Sequence, residues 1–245
     1  MTEVVRVFSF HAERLEREEV WRRTSDLLEA VELRGGHATL FVHPFTAIEA
    51  EADLGPRLRE LMERGHELGQ HTHFYAPRTS DDEGKLPTLL SAENVRRCLD
   101  RDLRYLRDAG AEPRGFVAGG WAIHDEVLRW LRECGFLYDA SVRSFALNYE
   151  HPDAVEGDGW TGPLVQDGLL RLPTTSPLTR IAKSRGRPLE ADGLSYELGY
   201  IHDYDLVSFA QRMAAGAALR RWGDAGPLVT ASELAGRISN LWAPT

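Results

Sequence analysis

Short apolar segments alternate with longer amphipathic segments along almost the whole chain, and this alternation limits the folds that the chain can adopt. Residues 4–10 and 38–42 are apolar runs typical of buried strands. Residues 16–34 between them carry apolar side chains at helical spacing and are followed by two glycines. A strand, a helix and a second strand in this order pair in parallel through a right-handed crossover. The pattern therefore predicts an α/β fold with a parallel sheet.

The same alternation continues to residue 230. It predicts further strands over 67–72, 115–121, 136–142, 169–173, 194–202 and 227–230, and further helices over 54–64, 91–107, 124–134 and 208–222. Residues 76–88, with an acidic run at 81–83, and residues 179–188 are expected to be loops, and residues 145–168 are less regular. About seven units without a linker favour a barrel over an open sheet, so we expect residues 1–245 to form one distorted (β/α) barrel of about seven parallel strands.

The composition narrows the classes of function. The chain has 42% hydrophobic and 27% charged residues, which are ordinary values for a globular protein. Its formal net charge of −9 argues against nucleic acid or an anionic membrane as the main partner. The first residues lack the pattern of a secretory signal, and no stretch reaches the roughly 18 apolar residues of a membrane span, so we expect a cytoplasmic protein. Cys98 and Cys134 have no C-x-x-C spacing and are assigned no role.

Two pairs of potential ligands stand at positions i and i+2 where predicted strands end. His71 and His73 follow the third strand, and His11 and Glu13 follow the first. Alternate side chains of an extended strand share a face, so the members of each pair can converge on one point. Neutral imidazole is the commonest metal ligand and the usual proton shuttle near neutral pH, although an isolated H-x-H also occurs on solvated loops. The second pair favours a functional site.

Further polar residues follow predicted strands on the same side of the sheet. In parallel α/β folds the C-terminal strand ends form the working face. This rule brings to one rim His11, Glu13, His71, His73, Asp139 and residues 202–205. The sequence has no Gly-rich phosphate loop, serine nucleophile elbow or dinucleotide fingerprint that would compete with this rim.

Six segments, spread in order along nearly the whole chain, match the motifs of one enzyme family. They are Phe8-Ser9-Phe10-His11, His37-Ala38-Thr39-Leu40-Phe41-Val42, Gly65-His66-Glu67-Leu68-Gly69-x-His71-Thr72, Gly135-Phe136-x-Tyr138-Asp139-Ala140-Ser141, Leu170-x-x-Pro173 and Ile201-His202-Asp203-Tyr204-Asp205-Leu206. With these segments the chain resembles the polysaccharide deacetylases of carbohydrate esterase family 4. The resemblance implies a distorted barrel of about seven strands and a hydrolase that uses a metal.

Two of the family's motifs are altered in this chain: the one that carries the catalytic Asp and the one that carries an Arg next to it. The family has two adjacent Asp residues, a catalytic base and a metal ligand, where this chain has His11 and Ala12. Glu13 is the nearest replacement carboxylate, and Val117 stands where the family has an Arg that orients the base. We predict His11 as the base and Glu13 as a ligand, because a His near neutral pKa can accept a proton and a carboxylate lowers the net charge of a zinc site.

The motif that contains His71 and the motif that contains His202 supply the remaining predicted roles, metal ligand and general acid. The family has two metal-binding histidines four residues apart, and His71 matches the first of them. Tyr75 occupies the second position, so His73 is the available substitute. His202 matches the late histidine that serves the family as general acid.

This pattern leaves two chemistries open. Zn²⁺ or another divalent metal could be held by Glu13, His71 and His73, or with His11 in place of one of them, leaving a position for water. Alternatively, no metal is bound and histidines carry out the proton transfers, as in the cofactor-independent allantoinases that the fold also resembles. The number of imidazoles on one rim favours the metal.

The expected substrate is a small molecule with a C–N amide bond, and N-deacetylation of an acetamido sugar or a related metabolite inside the cell fits best. Residues predicted to contact it are Tyr75, Trp121, Asp139, Tyr204 and Asp205, with Trp160 and Tyr149 as further aromatic faces. One rival is a degenerate barrel that binds a ligand or partner without catalysis. Another is a metallohydrolase of the amidohydrolase type, which carries its H-x-H on the first strand and not the third. The sequence leaves the oligomeric state open.

Overall fold

The computed structural model describes residues 4–75, 90–145, 159–183, 186–223 and 228–241. The strands are β1 Val4–Ala12, β2 Thr39–Val42, β3 Glu67–Thr72, β4 Gly115–Ala118, β5 Tyr138–Asp139, β6 Leu164–Gln166, β7 Leu169–Arg171, β8 Ser176–Pro177, β9 Leu189–Ala191, β10 Leu194–His202 and β11 Leu228–Val229. The helices are α1 Glu18–Glu32, α2 Phe45–Glu49, α3 Gly55–Glu63, α4 Ala92–Asp108, α5 Asp125–Glu133, α6 Leu178–Ala182, α7 Phe209–Gly223 and α8 Ala231–Leu241. Short 3₁₀ turns, Gly119–Trp121 and Asp203–Val207, follow β4 and β10.

One curled sheet contains all of these strands. Its hydrogen-bonded order is β6-β7-β5-β4-β3-β2-β1-β10-β8, with β11 beside β1 and β9 beside β10. The pairs β6–β7 and β9–β10 are antiparallel hairpins, and the other pairs are parallel. The parallel strand order predicted from the alternation of strands and helices is therefore confirmed.

A single bent segment, Leu169–Pro177, connects the two ends of the parallel sheet. Its first part is β7, which pairs with β5, and its last part is β8, which pairs with β10. Between them, the Thr175 N–H donates to Leu198 O at 2.9 Å. If this segment is counted once, the described residues contain seven principal parallel strands curled into a distorted barrel, as the sequence predicts.

The core lies on both sides of β1, because successive residues of a strand point to opposite faces. Val7 packs inward with Leu198 and with residues of α8, whereas Phe8 and Phe10 pack outward against the surrounding helices. The start of α8 contacts the beginnings of two strands: the Ala231 N–H donates to Thr39 Oγ1 of β2 at 2.8 Å, and the Ser232 N–H donates to Glu67 Oε2 of β3 at 2.9 Å. Helix α8 therefore covers the N-terminal end of the barrel and leaves the opposite rim as the place for a site.

Several elements differ from the prediction. Helix α6 lies in the predicted loop 179–188, because the buried Leu178 and Ile181 form an apolar face that the surrounding basic residues disguise in the sequence. Helix α8 and the hairpin strands β6 and β9 were not predicted, and β5 is shorter than residues 136–142. The predicted loop 76–88 with its acidic run, and Tyr149, lie outside the described residues. Within the described part of the chain, no helix is both long and apolar enough to span a bilayer.

Candidate active site

The predicted ligand residues meet at the C-terminal ends of β1, β3 and β10. Glu13 directly follows β1, and His71 lies near the end of β3 with His73 just beyond it. His11 is the register partner of His202 across the β1–β10 pair. Because parallel strands of one sheet end at the same edge, three short segments far apart in sequence deliver their side chains to one place.

Glu13, His71 and His73 form a compact group of three potential ligands. Glu13 Oε1 lies 3.3 Å from His71 Nε2 and 3.4 Å from His73 Nε2. The three ligand atoms all lie within 4.8 Å of one another. The two histidines at i and i+2 thus converge on one point, as the strand spacing predicts, and the point is a carboxylate oxygen.

The hydrogen bond of His71 leaves a lone pair directed at this point, and His73 Nε2 is directed there without a hydrogen-bond partner. His71 Nδ1 lies 2.9 Å from Val117 O, and a carbonyl only accepts, so Nδ1 carries the proton and Nε2 carries a lone pair. His73 Nε2 is buried and has no hydrogen-bond partner. A buried polar atom without a partner is costly, and a cation among two imidazoles and a carboxylate would remove that cost. The donor set therefore fits a divalent metal of the zinc type.

The electrostatics keep this group in the protonation state that metal ligands need. Burial lowers the pKa of His71 to about 4, because the loss of hydration outweighs the favourable contact with Glu13. Burial alone would raise the pKa of Glu13, but the contacts with His71 and His73 hold it well below its ordinary value. At neutral pH the group is therefore a carboxylate facing a neutral His71, as metal binding requires.

His11 forms the floor of the site. Its side chain is 2% exposed, and its ring centroid lies 4.9 Å from His71, 4.8 Å from Tyr200 and 5.1 Å from Trp121. Burial, followed by the nearby His71 and His202, lowers the pKa of His11 well below its ordinary value. His11 is therefore a neutral imidazole at pH 7, next to the three potential ligands.

His202 stands at the side of the site between two carboxylates. Its Nε2 lies 3.8 Å from Glu13 Oε1, and its Nδ1 lies 3.5 Å from Asp205 Oδ2. The ring of Tyr204 stacks on His202 at 4.9 Å with an interplanar angle of 20°. Tyr204 is 37% exposed, so it also offers a flat surface to solvent beside the site.

Tyr75 and Trp121, both predicted to contact substrate, flank the histidines. The Tyr75 hydroxyl donates to Gly119 O at 3.3 Å, and its ring lies 6.2 Å from His73. A Cβ at Gly119 would lie 2.3 Å from His73 Cγ, so only glycine allows this ring to sit against the β4 turn. Trp121 is 8% exposed and packs against His11, so most of its surface supports the floor of the site.

Asp139 was predicted to bind substrate, but the structure places it in a buried ion pair. Its side chain has no exposed surface, and Arg171 Nε donates to Asp139 Oδ2 at 2.8 Å. The Ser141 N–H donates to the other carboxylate oxygen at 3.0 Å. Both oxygens are therefore engaged inside the fold. This carboxylate fixes β5 against β7 and does not open onto the rim.

His43 belongs to the site and was missed by sequence reasoning. Its ring packs against that of His73 at 4.6 Å, and its Nδ1 lies 3.1 Å from His71 O. Behind it, the fully buried Asp102 lies 3.7 Å from His43 Nδ1. The available signal was its position immediately after β2, at the same rim as the other histidines.

Asp203, which the sequence placed on the rim without assigning it a role, shapes the site. Its carboxylate accepts hydrogen bonds from the Arg14 N–H and the Tyr204 N–H, both at 2.8 Å. Burial raises the pKa of Asp203 to about 7, although these hydrogen bonds oppose the change. Asp203 thus ties the segment after β1, which carries Glu13, to the turn after β10.

Comparisons with known proteins show the fold. No protein-family model matches this sequence, and no curated protein matches it. Among solved structures, a Mycobacterium smegmatis protein named as a polysaccharide deacetylase is 18% identical, with a TM-score of 0.62 over 99% of this chain and 92% of that chain. The peptidoglycan deacetylase PdaC of Bacillus subtilis is 15% identical, with a TM-score of 0.56 over 98% and 93%.

A third matching structure is named as a pseudoenzyme and not as an active deacetylase. A Bacillus anthracis pseudoenzyme of carbohydrate esterase family 4 is 11% identical, with a TM-score of 0.55 over 95% of this chain and 66% of that chain. At these identities the matches show a common fold. They confirm the barrel predicted from the sequence, and the resemblance to this esterase family holds at the level of the fold.

Proposed function

We propose that this protein is a metal-dependent hydrolase of C–N amide bonds, most specifically an N-deacetylase of an acetamido sugar or a related small metabolite inside the cell. The observation that carries the proposal is the convergence of Glu13, His71 and His73 on one point, with a lone pair on His71 Nε2 and no hydrogen-bond partner for His73 Nε2. The fold supports it, because its solved relatives include proteins named as polysaccharide and peptidoglycan deacetylases.

The three ligands would hold the metal and leave a position for water. A bound zinc ion would lower the pKa of that water to about 7 and polarise the amide carbonyl. The ligands are prepared for this role, because Val117 O fixes the tautomer of His71 and the packing of His43 fixes the ring of His73.

Two histidines that are not in the ligand group are suited to the proton transfers. Attack of water on the acetyl carbonyl releases one proton, and departure of the amine requires one. We assign the first transfer to His11, which is neutral at pH 7, although burial lowers its pKa and makes it a weaker base than the sequence led us to expect. We assign the second transfer to His202. Their rings are in edge-to-face contact with centroids 5.2 Å apart, so an amide group placed beside this pair lies close to both.

The region around His202 supports binding of a hydroxylated ring. Tyr204 presents an aromatic face at the rim, and Asp205 lies beside it with a carboxylate that can accept hydrogen bonds from hydroxyl groups. A sugar placed on Tyr204 would bring a substituent next to His202. These contacts favour an acetamido sugar over an apolar amide.

The deciding experiment measures metal content and acetate release together. The purified protein is analysed for zinc and other divalent metals and is then incubated with a panel of acetamido sugars. We expect close to one metal ion per chain and acetate release that a chelator abolishes. Acetate release from a metal-free preparation would contradict the metal-dependent mechanism and support proton transfer by histidines alone.

A second candidate function is binding without catalysis. It is favoured by the fold shared with a pseudoenzyme and by Ala12, a side chain without a functional group at the position where the resemblance expects a metal-binding Asp. Under this alternative the protein would still bind metal and sugar. Calorimetry with the acetamido sugars would then show binding, and incubation with the same sugars would release no acetate.

A further inference from the structure

Helix α7 is apolar on its outward face as well as on the face that packs against the barrel. The inward face is formed by four buried residues, Ala215, Ala218, Leu219 and Trp222. On the other side of the helix, Phe209 and Met213 are 70% and 51% exposed and lie one turn apart. A surface helix usually carries polar residues on its outer face, so this exposed pair requires an explanation of its own.

The exposed apolar residues continue from α7 to the rim of the candidate active site. Val207, in the turn before α7, is 37% exposed, and Tyr204 in the same turn stacks on His202. Arg212 Nη1 donates to Leu206 O and Val207 O, both at 2.7 Å, and so holds the turn against the helix. Single exposed apolar residues are common, whereas a continuous series usually marks an interaction surface. We call this series the apolar strip: Val207, Phe209 and Met213.

The charges beside the apolar strip are all positive. Helix α6 packs beside α7, and residues 178–189 and 206–223 together contain seven Lys or Arg and no Asp or Glu. In the part of the chain that the structure describes, no carboxylate pairs with the cations of these two segments, Arg180, Lys183, Arg187, Arg212, Arg220 and Arg221. Arginines of other helices are commonly paired, as Arg64 is with Glu32. The segments therefore form a basic face with uncompensated charge.

Acidic residues of the neighbouring elements are largely engaged elsewhere. Helix α1 also contacts α7, but its Glu18, Asp26 and Glu32 pair with arginines. Asp205, in the turn before α7, faces His202 with an Oδ2–Nδ1 distance of 3.5 Å. The formal net charge of −9 argues against an anionic partner for the chain as a whole. Charges are screened beyond about 8 Å at physiological ionic strength, however, so a partner at this surface meets the basic face and not the net charge.

We propose that the apolar strip and the basic face dock on the surface of an anionic lipid bilayer, with Phe209 and Met213 at the boundary between headgroups and acyl chains. A bilayer offers both an apolar layer and anionic headgroups, as exposed aromatic and apolar side chains among Lys and Arg require. Because Tyr204 lies between this surface and His202, docking would hold the opening of the candidate site beside the membrane. The surface is independent of the function proposed for the histidine rim.

Two other occupants fit the surface less well. A second copy of the chain, related by a two-fold axis, would place Arg220 and the other cations of the basic face against an identical set. Like charges that face each other across an interface repel. A nucleic acid would attract the cations, but its charged backbone offers no apolar layer for Val207 and Met213.

The test is co-sedimentation of the full chain with vesicles of phosphatidylcholine alone or mixed with phosphatidylglycerol. We expect binding to the mixed vesicles and little binding to phosphatidylcholine alone. Binding should weaken when salt rises from about 0.1 M to about 1 M, because the Debye length falls from about 10 Å to about 3 Å. Equal binding to both compositions, or no binding to the mixed vesicles at low salt, would overturn the proposal. A dimer in solution that Phe209→Ser converts to a monomer, without vesicle binding by the parent, would assign the surface to a second copy.

Matched variants locate the binding. Arg220→Gln should weaken binding to the mixed vesicles by about fivefold, the effect of one cation near an anionic surface. Arg97→Gln on α4 changes the net charge equally and should bind as the parent does. Phe209→Ser should weaken binding by about tenfold, whereas Leu33→Ser, at a residue just after α1 that is 79% exposed, should not. Equal losses within either pair would contradict docking through this surface.

Discussion

Both ends of β3 bring histidine next to a glutamate, but the polar atoms are fully hydrogen-bonded at one end and not at the other. At its start, His66 Nε2 contacts Glu32 Oε1 at 2.8 Å, and the Ala38 N–H donates to His66 Nδ1 at 3.2 Å. At its end, His71 and His73 both direct Nε2 toward one oxygen of Glu13, and the nitrogen of His73 has no partner.

The difference shows what distinguishes a site from a structural contact. Both nitrogens of His66 are satisfied, and Arg64 balances the charge of Glu32 with an Nε–Oε1 distance of 2.7 Å. In the group at the end of β3, His71 Nε2 presents a lone pair to a carboxylate oxygen and His73 Nε2 has no hydrogen-bond partner, so a cation would satisfy atoms that the protein alone does not. Unsatisfied polar atoms, and not the presence of His and Glu alone, therefore distinguish the end of the strand that we propose as the metal site.

The sharpest test of this comparison is whether a mutation at the His71 end of β3 removes metal while a matched mutation at the His66 end does not. His71→Ala leaves too few protein ligands, so we expect its zinc content to fall from about one ion per chain to background by elemental analysis. His66→Gln, the matched change at the other end of β3, should retain the metal. Stoichiometric zinc in the His71 variant would remove His71 from the ligand set, and a parent protein without metal would favour the metal-free mechanism.

The next test separates ligand from base within the pair after β1. Glu13→Gln should lose metal and turnover together, whereas His11→Gln should keep the metal and lose about 10²–10⁴-fold in kcat. Zinc content and acetate release are measured on the same samples. Metal loss in the His11 variant with retention in the Glu13 variant would reverse the two roles, and parental turnover in both would place the chemistry elsewhere on the rim.

A third test concerns the general acid. His202→Asn keeps size and polarity but cannot transfer a proton, so we expect kcat to fall by about 10²-fold or more with little change in KM. Steady-state kinetics on the best substrate of the panel give both values. A fall of less than about fivefold would mean that another group protonates the amine.

The smallest expected effect is on stability, and it comes from the satisfied end of β3. Burial lowers the pKa of His66 to about 4 in the folded protein, against about 6.5 in the unfolded chain. Between these values the unfolded chain binds a proton that folded His66 does not. The free energy of unfolding therefore decreases as the pH falls from 6.5 toward 4, by at most about 1.4 kcal/mol per pH unit for this group.

His66→Gln should make this pH dependence shallower, as denaturant unfolding at several pH values would show. The buried His11 and His71 have lowered pKa values too, so part of the dependence should remain. If the parent and the variant lost stability in parallel from pH 6.5 to 4, His66 would not be the neutral, satisfied residue that the comparison requires.

Local patterns in the sequence were enough to predict the barrel and the meeting of His71 and His73. Strand periodicity fixes which residues share a face, and parallel pairing fixes the edge to which they point. The ion pair of Asp139 joins residues 32 positions apart, and no local pattern indicates that Arg171 is its partner. The role of His43 likewise depends on the ring of His73, which only the folded sheet brings next to it.

The pairing of β1 with β10 has a consequence for how the protein is made. Val4 pairs with Ser195, so the central strand of the sheet obtains one of its two main neighbours only after most of the chain has been synthesised. Contacts of such long sequence separation slow folding and leave a strand edge exposed in the nascent chain. Glu13, His71 and His73 could be assembled early, but His202 arrives last. The emerging chain would therefore acquire the proposed metal ligands before the proposed acid.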